Sequence, residues 1–296
     1  MRNVFGFFIA AFLWYVTSVA GAQEQEEKKS FLWKVTSPQT TVYLLGSIHV
    51  GSEAVYPLNP AIEQAFEQAQ VLVVEVDVEK GQSESLQQLI LQKGTYQDDD
   101  RLENHITEKT RIRLKEVLKG YGLTVDGFSR FKPWFVGNTL LALQLKRAGF
   151  DEELGIDRYF LRKAREQRKK IFQLETMEQQ FALFDSIPEQ DMFLEYSISS
   201  MEEIEGMLTE FQDAWKNGDE QTVERIVLQE PLRRNPDSLT IIEKTIYDRN
   251  AVMAGRIEGF LAGRQIYFVI VGSGHVVGEK GILNLLRQKG HQVEQQ

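Results

Sequence analysis

The chain has 296 residues, of which 42% are hydrophobic and 26% charged, a composition that predicts a folded globular protein and argues against intrinsic disorder. Its formal net charge of −9 argues against nucleic acid as a partner, because phosphate binding requires clustered lysine and arginine. The absence of cysteine excludes thiolate nucleophiles, cysteine-based zinc sites and attachment through a lipidated cysteine.

Residues 1–22 have the pattern of a secretory signal peptide. Arg2 gives a short basic start, residues 4–16 form an almost unbroken apolar run, and Ala20-Gly21-Ala22 suits a cleavage site. The run is short for a transmembrane helix, although an uncleaved anchor is the alternative. We expect cleavage after Ala22 and a periplasmic or secreted protein with no stable membrane insertion after cleavage.

The first part of the mature chain predicts two strands, a helix and a third strand. Residues 31–35 and 41–45 are strand-like and are separated by a turn containing Ser37-Pro38, which predicts a hairpin. Asn59 as cap and Pro60 at the first helical position predict a helix start. The aliphatic run at residues 71–78 then predicts a strand buried on both faces, which completes a strand–helix–strand unit.

The middle of the chain, from about residue 82 to residue 250, has mostly helical patterns. One short strand, at residues 170–174, interrupts them. No linker rich in proline, glycine or serine divides this part from the rest. It is therefore interpreted as a large helical insertion rather than a second domain.

After the insertion, residues 251–262 predict a long helix that leads into a second buried strand. Residues 281–289 predict a further helix and residues 292–294 a short closing strand. We expect one domain over residues 23–296, of the α+β (mixed α/β) class. Its centre is predicted to be a mixed β-sheet with strands from both chain ends and flanking helices.

Two of the four histidines follow matching patterns. Residues 41–51 read TVYLLGSIHVG and residues 266–276 read IYFVIVGSGHV, so a buried strand meets Gly-Ser-x-His-Val in both. Ligands of α/β sheets collect beyond the carboxyl ends of the strands, where a glycine lets the backbone approach them closely. Either histidine alone is better explained as a structural residue, but the matched pair favours His49 and His275 as metal ligands or acid–base groups.

Glu75 is the third candidate, because it interrupts the aliphatic run near the carboxyl end of a strand. An ionised side chain is costly to bury there without a partner. Asp77 lies two residues later, so strand alternation predicts that both carboxylates share a face. Such a pair would ligate a metal, or one member would be a general base whose pKa the other raises. Alternatively, the strand has ended and the acids are solvated, an explanation that fits Asp77 better than Glu75.

Other residues are weaker candidates for the functional site. Arg249-Asn250 precedes the helix that leads into the second histidine strand, and an arginine there would hold a carboxylate or an oxyanion. Asp157 is explained equally well as an acid near a helix cap, and Glu175 as the start of the next helix. His105 and His291 lie in polar stretches and are predicted to be surface residues. No Walker loop, serine-hydrolase elbow, His-Glu-x-x-His motif or dinucleotide fingerprint is present.

Taken in order, these segments resemble the TraB/GumN family, which includes the PrgY pheromone-shutdown proteins and the Tiki proteases. The resemblance covers nearly all of the mature chain. It rests on Phe31-Leu32-Trp33-Lys34-Val35, Tyr43-Leu44-Leu45-Gly46-Ser47-Ile48-His49, Val74-Glu75-Val76-Asp77, Lys132-Pro133-Trp134, Gly155-Ile156-Asp157, Leu174-Glu175-Thr176, Arg249-Asn250 and Gly272-Ser273-Gly274-His275.

The resemblance implies a metal-dependent hydrolase, a peptidase in particular, related in fold to erythromycin esterase and ChaN-like proteins. It implies that His49 and His275 are metal ligands and that Glu75 is a ligand or a base, with Arg249 and Asn250 beside it in the catalytic site. The cofactor would be a divalent transition metal, with manganese or cobalt favoured by analogy with the family. The partner would be a peptide or protein substrate.

Two other functions fit the same residues. The first is a hydrolase without metal, in which His49 and Glu75 act as acid and base as in an esterase. The second is a non-catalytic periplasmic protein that binds a peptide, a metal or haem in the same cleft. Bound metal and turnover of peptides distinguish these hypotheses from a metallohydrolase.

Overall fold

The computed structural model describes residues 29–79, 84–201 and 204–296. The predicted signal peptide and its cleavage site lie outside these residues. None of the helices in the described ranges is both long and apolar enough to cross a membrane.

Within the described residues the strands form a six-stranded mixed sheet, in the order β4-β3-β5-β2-β1-β6. The strands are β1 (Leu32–Thr36), β2 (Thr41–Ser47), β3 (Val71–Val74), β4 (Lys170–Gln173), β5 (Tyr267–Gly272) and β6 (Gln292–Gln295). Four of them, β4, β3, β5 and β2, run parallel, and β1 is antiparallel to both β2 and β6. Because β5 and β6 come from the end of the chain, the predicted mixed sheet with strands from both chain ends is confirmed.

The hairpin and the strand–helix–strand unit form as the local sequence predicts. Strand β1 pairs with β2 in antiparallel register, with Thr36 opposite Thr41. Helix α1 (Pro60–Gln68) starts at Asn59, whose side chain accepts a hydrogen bond from the Ala61 amide at 2.9 Å. This helix returns the chain to β3, which runs parallel to β2 but does not touch it, because β5 lies between the two.

The third strand is shorter than the sequence predicts, since β3 ends at Val74 rather than at residue 78. The backbone amide of Gly272 at the end of β5 donates to the Glu75 carboxylate instead of to a main-chain carbonyl of β3. On the other side the chain stays paired for one more residue, with Glu175 donating to the Glu75 carbonyl at 2.9 Å. Glu75 therefore lies just beyond the strand.

The described residues also contain thirteen further α-helices, two π-helical stretches and five 3₁₀ turns. The α-helices are α2 (Glu84–Lys93), α3 (Glu108–Gly120), α4 (Pro133–Arg147), α5 (Ile156–Glu166), α6 (Met177–Asp185), α7 (Gln190–Met201), α8 (Ile204–Lys216), α9 (Glu220–Glu224), α10 (Glu230–Arg234), α11 (Leu239–Ile242), α12 (Asp248–Leu261), α13 (Ser273–Val276) and α14 (Ile282–Gln288). The π-helical stretches are Arg225–Gln229 and Glu243–Tyr247, and the 3₁₀ turns are Glu53–Val55, Leu102–Asn104, Val125–Phe128, Glu152–Leu154 and Pro236–Ser238.

The main hydrophobic core surrounds the sheet, whose strands β3 and β5 are buried along their whole length. The helical insertion has two smaller apolar clusters of its own. One is centred on α3, α4 and α7, and the other on Trp134, Ile187, Phe193 and Ile241. The second cluster includes Phe181 and Phe184 of α6, the helix that follows β4.

Candidate functional site

The four parallel strands bring one side chain each to the same edge of the sheet. His49 follows β2, Glu75 follows β3, Glu175 follows β4, and His275 lies in α13 directly after β5. Because the parallel strands all point the same way, their carboxyl ends share one edge, where ligands of such sheets bind. The structure thus brings His49, Glu75 and His275 together, as the strand patterns predict.

Both imidazoles face one oxygen of the Glu75 carboxylate. The Nε2 atom of His49 lies 3.9 Å from Glu75 Oε2, and the Nε2 atom of His275 lies 3.7 Å from the same oxygen. The two rings differ in exposure, since the side chain of His49 is 53% exposed and that of His275 only 7%. His49 is therefore the member of the pair that faces the solvent.

A separate residue holds the other ring nitrogen of each histidine. Asp157 accepts from His49 Nδ1 at 2.9 Å, and the Ser47 hydroxyl donates to the same carboxylate oxygen. The Oδ1 atom of Asn250 lies 2.6 Å from His275 Nδ1. Such partners fix the ring orientation and the tautomer of histidines that bind metals.

The tautomer of His275 follows from the contacts of Asn250. The Nδ2 group of Asn250 donates to the Lys280 carbonyl at 2.9 Å, so its Oδ1 atom is the one that faces His275. An amide oxygen only accepts hydrogen bonds, so His275 Nδ1 carries the proton and Nε2 presents a lone pair. A lone pair and a carboxylate oxygen thus face each other at 3.7 Å, and both are atoms that can bind a cation.

Glu75 is buried and held from several directions. Its Oε1 atom accepts from the Arg249 guanidinium and from Gln180 Nε2, the latter at 2.8 Å, and its Oε2 atom accepts from the Gly272 amide at 3.1 Å. Arg249 also donates to Glu175, with Nη2 to Oε2 at 2.7 Å. The guanidinium is thus clamped between two carboxylates, one after β3 and one after β4.

Burial and charge separate the pKa values of these groups. The negative charge of Asp157 raises the pKa of His49 to about 9, whereas burial lowers the pKa of His275 to about 4. Burial alone would raise the pKa of Glu75, but positive charge on Arg249 and His49 and the Gly272 amide oppose this effect and outweigh it together with His275, whose ring is protonated at the low pH where Glu75 titrates. The Glu75 carboxyl pKa is therefore held well below its usual value, and the group is ionised near neutral pH.

Gly272 lies beside both imidazoles of the site. A Cβ atom there would lie 2.7 Å from His49 Nε2, so a larger residue would crowd that ring, and 3.5 Å from Cδ2 of His275, an ordinary contact distance. The corresponding glycine of the first motif, Gly46, has a different role. A Cβ atom at that position would lie 2.5 Å from the Phe31 ring, inside the hydrophobic core.

The site opens into a cleft of about 380 Å³, within the size range of small-ligand pockets. Its lining residues combine the charged groups of the site with apolar side chains of α6 and of the segment after β3. They are His49, Val50, Glu75, Val76, Val78, Glu152, Asp157, Arg158, Gln180, Leu183, Phe184, Arg249 and His275. A larger cavity of about 620 Å³ lies at the opposite edge of the sheet, beside the β1–β2 turn, and contains none of these groups.

The donor atoms are of the types that bind metals, but they lie farther apart than the ligands of a bound ion do. Two neighbouring ligands, each about 2.0–2.2 Å from a zinc-like ion, lie about 2.9–3.5 Å apart, somewhat closer than the histidines and Glu75 do. Among the residues that the structure describes, no three histidine, aspartate or glutamate side chains are grouped tightly enough to hold an ion as they stand. The rings nevertheless have the orientation and the supporting hydrogen bonds of metal ligands.

Asp77 does not join Glu75 in the way that strand alternation predicts. Since β3 ends at Val74, the two acids are not on one pleated strand, and Asp77 pairs with Arg165 of α5 at 2.7 Å. Its backbone amide donates to the side chain of Gln173 at 3.3 Å. The prediction of a carboxylate pair formed by Glu75 and Asp77 is therefore wrong.

The model of the TraB/PrgY/gumN family matches residues 31–295 of this chain. The chain belongs to this family. Its relatives include the uncharacterized protein YbaP of Escherichia coli, 26% identical over 246 residues, a match that covers 83% of this chain and 87% of YbaP. The metalloprotease TIKI1 of Danio rerio is 23% identical over 318 residues, a match that covers 91% of this chain and 64% of TIKI1. No solved structure matches the chain.

Several of the segments that carry the family resemblance contribute residues to the cleft or to its supporting contacts. Gly155-Ile156-Asp157 supplies the partner of His49, and Leu174-Glu175-Thr176 supplies the second partner of Arg249. The sequence alone explains Asp157 equally well as a helix-cap acid and Glu175 as a helix start. In the structure Asp157 lies in the first turn of α5 and Glu175 lies directly before the N-cap of α6, and both also contact site residues.

Sequence reasoning missed Gln180 entirely, although it donates to Glu75 and to Glu175. A signal was available in α6. Gln180, Leu183 and Phe184 are spaced three and four residues apart and so lie on one face of that helix. A polar residue on an otherwise apolar face indicates a specific partner.

Proposed function

We propose that this protein is an exported, metal-dependent hydrolase that acts on peptide or amide bonds. The observation that carries the proposal is the pair of imidazole Nε2 atoms, both facing Glu75 Oε2, with their Nδ1 atoms held by Asp157 and Asn250. The distant similarity to the metalloprotease TIKI1 supports the choice of reaction.

His49, His275 and Glu75 would hold the metal. Two imidazoles and one carboxylate suit several divalent transition metals, and analogy with the family favours manganese or cobalt. When bound, such an ion polarises a carbonyl group and lowers the pKa of a water molecule. The lone pair of His275 and the ionised Glu75 carboxylate are donors already prepared for a cation.

Arg249 and Asn250 act as positioning residues in this proposal. Arg249 holds Glu75 ionised and fixed through its second partner, Glu175. Asn250 keeps the proton of His275 on Nδ1, which leaves Nε2 free to donate its lone pair. Both effects act through the proposed metal ligands.

Glu75 serves as a ligand rather than a general base. A base at neutral pH needs a pKa near 7, whereas the contacts of Glu75 lower its pKa. Arg249 and Gln180 donate to its Oε1 atom, whereas the Oε2 atom, which accepts from the Gly272 amide, is the one that both imidazoles face. Removing this carboxylate should therefore abolish metal retention as well as activity.

A hydrolase without metal fits the same contacts less well. In that mechanism His49 and Glu75 act as acid and base. Asp157 raises the pKa of His49 to about 9, which keeps the ring protonated as an acid near pH 7, but the lowered pKa of Glu75 makes this carboxylate a weak base. Metal binding requires the neutral imidazole, so a bound cation has to displace the proton from His49. A protein that binds a ligand without turnover is tested by the same experiment as the hydrolase.

The test uses the mature chain, residues 23–296, in wild-type form and as His49→Ala, His275→Ala and Glu75→Gln variants. Metal content is measured by mass spectrometry, and cleavage of a peptide library is measured with and without a chelator. We expect about one divalent ion per chain in the wild type, chelator-sensitive cleavage, and loss of both in the three variants. His105→Ala is the matched control, since His105 is exposed and pairs with Asp100 away from the cleft.

Three outcomes contradict the proposal in different ways. A wild type that holds no divalent ion after incubation with manganese, cobalt or zinc excludes the metal site. Cleavage that ignores the chelator supports the metal-free hydrolase instead. Tight binding of a peptide or of haem with no turnover supports the binding protein.

Export is tested separately. The full chain is expressed in a bacterial host, and the N-terminus of the protein recovered outside the cytoplasm is sequenced. We expect it to begin at Gln23, because the residues before it match a cleavage site. An N-terminus that retains residues 1–22 would support an uncleaved anchor.

A further inference from the structure

One wall of the cleft is apolar. It consists of Val76 and Val78, from the segment after β3, and of Leu183 and Phe184 on α6. Val76 is buried, and the other three side chains are half-buried, so part of each is open to the cleft. We call these four residues the apolar wall.

Helix α6 ties this wall directly to the site. Gln180 donates to the Glu75 carboxylate at 2.8 Å, and Leu183 and Phe184 follow it by three and four residues. At that spacing the three side chains lie on one helix face, about one turn apart. The hydrogen bond from Gln180 to Glu75 therefore also fixes the position of Leu183 and Phe184 relative to Glu75.

Phe184 is held in place before any ligand arrives. Its ring stacks on Trp134 with centroids 5.7 Å apart and meets Phe193 edge to face at 5.9 Å. Aromatic contacts of this kind fix the ring, so little side-chain freedom is lost when a ligand packs against it. The wall is thus a preformed surface.

The charged residues around Arg158, which also lines the cleft, are already paired with one another. Arg158 is buried and pairs with Glu152 at 3.2 Å and with Glu153 at 3.1 Å. Since these ions already have partners, a charged side chain of a ligand would compete with existing pairs. The apolar wall is the part of the cleft where a ligand gains by leaving water.

We propose that the apolar wall is a specificity subsite, which binds a large aliphatic or aromatic side chain next to the bond that is cut. This inference rests on the proposed hydrolase function, because it assigns the side-chain preference of that reaction. Leu183 and Val78 determine the preference, and Phe184 forms the fixed floor of the subsite. The protein would accordingly cut peptides beside leucine, phenylalanine or similar residues.

Binding and cleavage are measured separately to test it. Blocked fluorescent peptides, identical except for a central Leu, Asn or Asp, are titrated with the wild type by anisotropy in the presence of a chelator. Cleavage sites in a peptide library are mapped by mass spectrometry with metal present. We expect the Leu peptide to bind about tenfold or more tightly than the Asn peptide, and cleavage to cluster beside large apolar residues.

Two variants change the polarity of the wall while keeping the side-chain size, and a third adds a positive charge. Leu183→Asn and Val78→Thr should each reduce the preference for the Leu peptide several-fold, while Leu183→Lys should shift it toward the Asp peptide. Ile112→Asn on α3 is the matched control, since Ile112 is exposed and lies away from the cleft. Thermal unfolding of each variant verifies that the fold is kept, and Phe184 is left unchanged because Trp134 packs on it.

The subsite is excluded if the wild type binds the three peptides equally, or if Leu183→Asn and Val78→Thr keep the wild-type preference. Cleavage that does not depend on Leu183 and Val78 would exclude the subsite and leave the hydrolase standing. A Leu preference that these variants remove, without any cleavage, would support the subsite and exclude the hydrolase. The two proposals therefore fail in distinguishable ways.

Discussion

The two Gly-Ser-x-His segments share their sequence pattern but differ in their surroundings. At the end of β2, His49 is 53% exposed and bound to a charged partner, Asp157. At the end of β5, the side chain of His275 is only 7% exposed, lies in the short helix α13 and is bound to a neutral partner, Asn250. The glycines differ in the same way, since Gly46 packs against the core and Gly272 lies under both rings.

This difference shows that a repeated motif does not assign equal roles. Both rings point Nε2 at Glu75, but burial keeps His275 neutral with a lone pair available, whereas Asp157 keeps the metal-free His49 protonated. In the proposed metal site, His275 would therefore be the permanently buried ligand. His49, which is half exposed at the cleft, would be the exchangeable one.

The largest effect is expected from removing either imidazole. His49→Ala and His275→Ala should each lower peptide cleavage by about 100-fold or more, since each removes a proposed ligand. Their stabilities should differ. His275→Ala leaves the buried Asn250 oxygen without its partner, at a cost of about 1–3 kcal/mol, while His49→Ala removes a half-exposed ring. Denaturant unfolding of the two variants measures the difference, and equal stability losses would contradict the contrast in burial.

A smaller effect is expected from the residues that orient the rings. Asp157→Asn and Asn250→Ala should each weaken metal affinity by about 10- to 100-fold, because each loosens the ring that it holds. Metal titration of the two variants measures this. Asp100→Asn is the control, since Asp100 forms the same kind of carboxylate–imidazole contact with the remote His105. Unchanged metal affinity in Asp157→Asn would show that the His49–Asp157 contact is only structural.

The two glycines of the repeated motif should separate activity from stability. Gly46→Ala places a methyl group against the buried Phe31 ring and should cost about 1–3 kcal/mol of unfolding free energy with little effect on the metal site. Gly272→Ala meets the Nε2 atom of His49, the end of a half-exposed side chain that is able to move away. We expect weaker metal binding in Gly272→Ala but a near-normal melting temperature. A large loss of stability in Gly272→Ala, together with weaker metal binding in Gly46→Ala, would contradict these two roles.

Much of the sheet is predictable because its signals are local. The caps at Asn59 and Pro60 and the buried runs that became β2 and β5 are confirmed, with boundaries that shift by only one or two residues. The convergence of His49, His275 and Glu75 follows from parallel strands that end at one edge.

The remaining contacts depend on pairings between distant parts of the chain. The insertion of β5 between β2 and β3, and the early end of β3 at the Gly272 amide, are set by residues almost 200 positions apart in sequence. The same holds for Asp157. Its local pattern is that of a helix cap, but its side chain contacts His49, which lies 108 residues earlier. Local patterns therefore locate the site but not its supporting contacts.

The smallest expected effect is on the pH dependence of stability in the metal-free protein, where the two histidines act in opposite directions. His49 has a folded pKa of about 9, above the value of about 6.5 for an unfolded histidine. Its contribution is complete below pH 6.5 and is lost as the pH rises toward 9. His275 has a folded pKa of about 4, so its contribution is complete above pH 6.5 and is lost as the pH falls toward 4.

We therefore expect each histidine to dominate one side of the stability profile near pH 6.5, with Glu75 adding to the loss only below about pH 4.5. Chelator-treated wild type, His49→Gln and His275→Gln are unfolded in denaturant at pH 5.5, 6.5 and 8.5. His49→Gln should flatten the profile above pH 6.5 and His275→Gln should flatten it below. Because the side chain of His49 is half exposed, solvent screens its ion pair, and the slope above pH 6.5 should be the shallower of the two. If instead His275→Gln flattened the alkaline side, the assignment of the charged and the neutral ring would have to be exchanged.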